Sequence, residues 1–271
     1  MNDIEKISEK IERSALESLH SCCPQETIET LKLGLVDVAD GLASLSGSDP
    51  SILINRSLGL GAEQPTTAAS LERVINTYAE KSIQNYFIHL YEDELTNDAR
   101  ELLAGTQMIK KRGWMKFAMD TPQPRTAKTA LRVEKITASA GNDFGTIVCD
   151  AFGMSQQSVP LLASIVNDDR WHIFVTYEGD NPAGAGAMFI EGKSAWLEWG
   201  ATNPNYRRRG SQSAVMAARL SLAAKLGCQH VFTETGEAVE GDPQHSYKNI
   251  LKAGFQESVL RQNWSVSPSH A

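Results

Sequence analysis

From Leu131 onward, short apolar stretches of strand character alternate with longer stretches of helical spacing, in an order that leaves few folds open. Leu131–Thr137 alternates through Leu131, Val133, Glu134 and Ile136, the pattern of a half-buried strand. Asp143–Phe152 and Gln156–Val166 have helical spacing and are separated by Gly153. Trp171–Tyr177, Ala183–Ile190 and Ser194–Thr202 read as three strands, joined by the turn residues Glu178-Gly179-Asp180-Asn181 and Glu191-Gly192-Lys193. Ser211–Leu226 is an Ala- and Leu-rich helix and Gln229–Thr235 a strand. Pro243–Lys252 is a helix stopped by Gly254, and Phe255–Val266 supplies the last strand or two. The order β-α-α-β-β-β-α-β-α-β predicts an α/β fold with a mixed, mostly antiparallel central sheet covered by helices on both faces.

The first 120 residues are less regular. Ile4, Ile7, Ile11, Ala15, Leu16 and Leu19 give an amphipathic helix over 4–20, and a second helical pattern runs from Glu26 to Leu45 after Pro24. Gly47-Ser48-Asp49-Pro50 marks a loop. Thr66–Ser70 leads into a capped helix, Tyr86–Tyr91 is a strand, Glu92–Met108 a helix, and Gly113–Phe117 a strand. Thr121-Pro122-Gln123-Pro124-Arg125-Thr126 carries two prolines and no large apolar side chain. It divides the chain into a smaller α/β region at 1–120, a linker at 121–129 and a second domain at 130–271.

Composition removes several classes of function. The net charge of −7 argues against a dedicated nucleic-acid binder, which needs a basic face to displace counterions. No stretch approaches the roughly 20 apolar residues that span a bilayer. The charged start Met1–Lys6 lacks the apolar core of a secretory leader. Cys22, Cys23, Cys149 and Cys228 form no CxxC pair, and no Cys/His cluster has metal-ligand spacing, so a reducing cytoplasm and a metal-free site are expected. Gly192-Lys193-Ser194 fails as a phosphate-binding P-loop, because Ala187 stands where its first glycine belongs and a strand follows.

The stretch from Gly200 to Met216 carries chemistry. A strand ends near Thr202, Pro204 removes a ladder donor, and the turn Arg207-Arg208-Arg209-Gly210 opens directly into a long helix. The first amides of a helix have no internal partner, and its dipole adds about half a positive charge there. Three arginines reinforce that potential, and Gly210 allows a ligand to come close to the backbone. The physics predicts a di- or polyphosphate ligand.

The same residues resemble the acetyl-CoA motif of the GNAT-type N-acetyltransferases, [Gln/Arg]-x-x-Gly-x-[Gly/Ala], with Arg207, Gly210 and Gln212 in its key positions. The element order from Leu131 to Val266 is that of the family, and Ala253-Gly254-Phe255 resembles its Gly-Phe ending. The resemblance implies acetyl-CoA as co-substrate and no metal. Thr202, Arg207, Arg208, Arg209, Gly210, Ser211, Gln212 and Ser213 would hold the carrier, with Ser246 and Asn249 on the late helix beside its arm. This sequence departs from the pattern twice: Gln212 replaces the usual Gly or Ala, and Ile250 replaces the tyrosine that often serves as acid. Lys110-Lys111-Arg112-Gly113-Trp114 also resembles the Gly-Phe ending, so the first region is read as a degenerate second copy. It has no arginine-rich turn and receives no cofactor.

The implied reaction is acetyl transfer to a primary amine by direct attack on the thioester. It needs a backbone N–H near Thr202 to polarise the carbonyl, a base for the ammonium proton, and an acid for the thiolate. Glu198, in Trp196-Leu197-Glu198-Trp199, and Glu234, in Phe232-Thr233-Glu234-Thr235, are the candidate bases. Glu198 could instead be a structural acid paired to an arginine or facing water, and Glu234 a hydrogen-bonded acid holding the cleft wall or capping a turn. Tyr247 is the candidate acid. The acceptor is a small-molecule or peptide amine, no nucleic acid or membrane partner is expected, and a homodimer follows only from analogy with the family. The alternative is a non-catalytic acyl-CoA-binding or regulatory protein on the same scaffold.

Overall fold

A computed structural model describes residues 1–266. The helix expected over 4–20 is α1 (Asp3–Ser21), opened by a reciprocal cap between Asn2 and Glu5. The helix expected from Glu26 to Leu45 does not form. α2 (Gln25–Leu31) ends where Lys32 turns left-handed, and β1 (Leu33–Val38) and β2 (Gly41–Ser46) form a hairpin around Ala39, also left-handed. Gly34 and Gly41 weaken a helix there, and pairing of β2 with Arg56–Leu58 draws the stretch into the sheet. β3 (Arg56–Leu58), α3 (Ala68–Glu80, capped by Thr67) and β4 (Phe87–Leu90) follow. The helix expected over Glu92–Met108 is broken: a 3₁₀ turn at Glu92–Glu94 gives way to extended backbone at Leu95 and Thr96 before α4 (Asn97–Gly105). β5 runs from Met108 to Asp120. The Lys110–Trp114 stretch therefore lies inside a strand, not at a helix end.

The second half follows its expected order: β6 (Arg132–Lys135), α5 (Gly141–Phe152), α6 (Val159–Ala163), β7 (Trp171–Glu178), β8 (Asn181–Glu191), β9 (Ser194–Thr202), α7 (Ser211–Lys225), β10 (His230–Gly236), α8 (His245–Lys252) and a single final strand, β11 (Gln256–Val266). On β8, a Cβ at Gly184 would lie 2.2 Å from Ser211 Oγ, and one at Gly186 would lie 2.7 Å from Val215 Cγ1. Glycine at these two positions lets α7 press directly onto the sheet.

The eleven strands of the described residues join one sheet, ordered β1-β2-β3-β4-β11-β5-β10-β9-β8-β7-β6. Among the described residues, only two adjacent pairs are parallel, β3 with β4 and β9 with β10. The order α-α-β-β-β-α-β-α-β occurs twice, from α1 to β5 and from α5 to β11. Each copy carries one parallel pair, and each gives its last strand to the other: β5 lies against β10, and β11 against β4. The 121–129 segment thus does not interrupt the sheet, since β5 before it is paired on both edges by strands that come after it. The expected end of the second domain at 271 lies outside the described residues.

Candidate functional site

β9 and β10 run side by side for four rungs, ending at Leu197 opposite Thr233. Beyond that rung the strands part. The separation begins well before Thr202 and Pro204, where the sequence placed it. A break in register between β8 and β9 puts a bulge at Trp199–Gly200, and Trp199 takes the left-handed φ of +56°. Thr202 itself is still paired with Gly184.

Glu198 and Glu234 are the first residues past the last shared rung, one on each side of the fork. Arg56 joins them, donating from Nη2 to Glu198 Oε1 (2.7 Å) and from Nη1 to Glu234 Oε1 (3.3 Å). Arg261 donates from Nη2 to Glu234 Oε2 (2.5 Å). Both acids are therefore paired to arginines and also stand at the fork, with side chains 15% and 11% exposed. Behind them, Glu12 accepts from both Arg261 nitrogens at 2.8 and 2.9 Å, and Lys116 lies 2.6 Å from Glu9 and 2.7 Å from Glu12.

The four carboxylates Glu9, Glu12, Glu198 and Glu234 thus face three cations, Arg56, Lys116 and Arg261. One negative charge is in excess. Burial favours protonation of all four, but in Glu12 and Glu9 the adjacent cations outweigh it and hold the carboxyls below the usual range. At the fork burial prevails: Glu198 is raised, and Glu234 is pushed up to about 7 against the pull of Arg261 and Arg56. The excess proton belongs at the fork. Sequence reasoning found both acids but missed Arg56, Lys116 and Arg261, which lie on β3, β5 and β11. Their signal was a charged residue on an otherwise core-forming strand, as in Trp114-Met115-Lys116-Phe117.

Tyr247 does not join this group. Its hydroxyl donates to Glu257 Oε1 (2.5 Å), and burial together with that bond pushes it up to about 12.

On the helix side of the fork, the backbone from Arg208 to Ser213 turns through two left-handed residues, Arg208 and Gly210, into α7. Among the described residues, none of the six amide N–H groups from Arg208 to Ser213 has a hydrogen-bond partner. The arrangement is a nest for an anion at the start of a fifteen-residue helix. The side chains divide. Arg207 and Arg208 are exposed and form no ion pair among the described residues. Arg209 pairs with Glu178 and lies over Tyr206. The Ser211 hydroxyl turns inward to Thr176 Oγ1 (2.7 Å), so only its amide is offered.

Gln212 reaches α8, accepting from Asn249 Nδ2 (2.7 Å) and donating to Ser246 Oγ (3.4 Å). Gln212, expected in the phosphate-binding turn, is thereby drawn to Ser246 and Asn249, expected beside the carrier's arm. Gly210 has a different neighbour from the one expected. The Lys128 carbonyl, in the 121–129 segment, lies 2.7 Å from where its Cβ would stand, and Thr129 Oγ1 donates to Arg209 O (2.8 Å). That segment forms one wall of a cleft of about 270 Å³ between α7 and α8, lined by Lys128, Gln212, Ser213, Asn249 and Lys252.

The first copy has the same two features, both filled by its own carboxylates. At the β3–β4 fork, Glu9 accepts from Gly59 N–H (2.7 Å) and from Tyr91 OH. At the start of α3, Asp98 accepts from Ala68 N–H (3.0 Å) and Thr67 accepts from Ser70 N–H (3.2 Å). Anion sites in that half are already occupied from within.

Residues 145–248 match the profile of the acetyltransferase (GNAT) family. No curated protein matches the chain. Among solved structures, it is similar to a GCN5-related N-acetyltransferase from Kribbella flavida, with a TM-score of 0.61, 13% identity and 97% of each chain covered. It is also similar to a GCN5-related N-acetyltransferase from Sphaerobacter thermophilus, with a TM-score of 0.58 and 12% identity over 86% of this chain and 83% of that one. A conserved protein of unknown function from Staphylococcus epidermidis gives a TM-score of 0.55 and 9% identity, over 89% and 97%. These likenesses extend across both copies, so the doubled sheet is a shared architecture. With its profile match, its parallel pair β9–β10 and its open helix start, the segment 145–248 is a domain of the acetyltransferase (GNAT) family.

Proposed function

We propose that the chain is an acyltransferase that moves an acetyl group from acetyl-CoA to a primary amine at the β9–β10 fork. The observation that carries this reading is the contrast between the two copies. The helix start and fork of the first are filled by Asp98 and Glu9, whereas the amides of Arg208–Ser213 are without partners. The residues present fit a diphosphate: six amides, the exposed Arg207 and Arg208, and Lys128 and Lys252 on the adjoining cleft. Gln212, Ser246 and Asn249 would flank the carrier's arm. When bound, acetyl-CoA supplies the thioester carbonyl and a thiolate leaving group.

The chain's own part is positional and protonic. The fork sets the amine beside the carbonyl carbon, where orientation alone is worth several kcal/mol, roughly 7 or more in well-aligned systems. As the C–N bond forms and the C–S bond breaks, the sulfur keeps the electron pair and the amine releases a proton. Glu234 is the acceptor for that proton. Its carboxyl, poised near neutrality, is matched to the task, and Arg56 and Arg261 fix its orientation. Glu198 shares Arg56 and supports binding of the cationic amine. The part of the chain before residue 121 supplies Arg56, Lys116, Glu9 and Glu12 and so shapes the acceptor side.

The test is calorimetry with acetyl-CoA followed by thiol release over a panel of amines (a polyamine, an aminoglycoside, free lysine and a peptide with a free N-terminus). Binding with turnover on at least one amine supports the reading, and no binding overturns it. A second reading, acyl-CoA binding without turnover, is favoured by the two positions considered for the acid, since Ile250 is apolar and the Tyr247 hydroxyl is bound to Glu257. Tight binding with no thiol release on any amine would select it.

A further inference from the structure

Arg219 is the large buried cation of the catalytic half that neither the anion nest nor the acid network uses. It lies on α7, is only 3% exposed, and forms no ion pair among the described residues. Its partners are backbone carbonyls: Nη1 donates to Ala187 O (3.0 Å) and to Glu198 O (3.3 Å), and Nε donates to Val215 O (3.4 Å). No hydrogen bond of the described residues uses Nη2, which lies 3.9 Å from where a Cβ on Gly200 would stand. A Cβ on Gly186 would lie 3.0 Å from the guanidinium carbon, so the strand leaves a hollow for this group. Burial without a counter-charge lowers its affinity for the proton to about 10, and it remains a cation at neutral pH.

The two carbonyls it joins, one on β8 and one on β9, lie at the break in register between those strands. Regular ladder pairing is lost there, and carbonyls in a buried sheet need other donors. The same bulge holds Trp199 at a φ that bulky residues avoid. Such a backbone persists only where its surroundings over-determine it. The Glu198 carbonyl that Arg219 holds precedes Trp199 directly, and Glu198 is the residue at which the fork opens.

We infer that Arg219 is a positioning residue for acyl transfer: from the α7 face of the sheet it pins the β9 bulge, fixing the angle at which Glu198–Thr202 leaves β10. The catalytic half of this inference rests on the acyltransferase reading, while the structural half stands without it. The guanidinium exchanges no proton; it supplies donors and a fixed positive charge behind the fork.

The experiment compares wild type with Arg219→Met in the full chain, by amide hydrogen exchange without ligand, acetyl-CoA calorimetry, and thiol release on the best amine of the panel. Exchange at 198–202 is expected to rise about tenfold or more while β7 and β10 keep their protection. Acetyl-CoA affinity should stay within about threefold, because the nest is untouched. kcat should fall roughly 100-fold with little change in KM, as expected when reacting groups are displaced by about an ångström. The pH profile should keep its shape, because Glu234 is not altered. If the variant does not fold, Arg219→Lys, which keeps the charge but shortens the reach, carries the same readouts. Unchanged exchange at 198–202 overturns the inference whatever the activity. Raised exchange with unchanged kcat overturns its catalytic half. A wild-type chain that does not bind acetyl-CoA overturns the acyltransferase reading instead, and exchange alone then decides whether Arg219 is the pin.

Discussion

Glu234 and Arg56 are the side chains on which the proposed chemistry turns, and each gives a distinct prediction. A base must be ionised to accept a proton, and the Glu234 carboxyl sits near 7. Activity should therefore rise as pH passes upward through about 7. Glu234→Gln should lower kcat by about 100-fold and abolish that rise, while acetyl-CoA affinity by calorimetry stays as in wild type. Removing Arg56 acts in the other direction on the same group. Arg56→Met takes away the cation shared by Glu198 and Glu234, so both acids hold their protons to higher pH. The rising limb should move to higher pH, measurable in the rate profile. Stability to urea should drop by about 3 kcal/mol, because Glu198 is left buried without an ion pair while Glu12 and Glu234 each lose one of theirs.

α7 and the strands beneath it show how far residue patterns carry and where they stop. The strand order of the second half, the helix start at Ser211 and the two fork acids were all legible, because alternation, turn residues and a glycine before an Ala-rich helix are local signals. The hairpin at 33–46 was not legible: its apolar residues suit a helix as well as a strand, and pairing with distant Arg56–Leu58 decided between them. The cations behind the acids were missed for a related reason. Lys116 and Arg261 look like solvent-facing residues until the exchanged strands place them at the centre of the sheet.

Two glycines under and before α7 give predictions at this scale. Gly186→Ala puts a methyl group 2.7 Å from Val215 and 3.0 Å from the Arg219 guanidinium. It should lower the thermal midpoint by several degrees, from a packing cost of about 1–3 kcal/mol. Gly210→Asp should weaken acetyl-CoA binding more than Arg207→Ala in calorimetry. It forces a left-handed aspartate against the Lys128 carbonyl and adds negative charge to the anion nest.

Across the whole molecule, two buried groups make stability respond to pH with opposite signs. His20 is held neutral by burial beside Ser44, with its proton affinity lowered to about 4. The unfolded chain binds that proton below about 6.5, so stability from His20 is lost as pH falls from 6.5 to 4, by up to about 3 kcal/mol. Glu234 is raised, so its contribution is present below about 4.5 and lost as pH rises toward 7. Relative to wild type, His20→Gln should remove the acid-side loss and Glu234→Gln the loss on the neutral side, read as denaturation midpoints across pH 4–8.

The exchange of β5 and β11 reaches further. A fragment starting at residue 130 would carry every amide of the nest and both fork acids, yet would have a slot between β10 and β11 where β5 belongs. Here each copy completes the sheet of the other, so neither can be removed without leaving its partner with an unpaired strand edge.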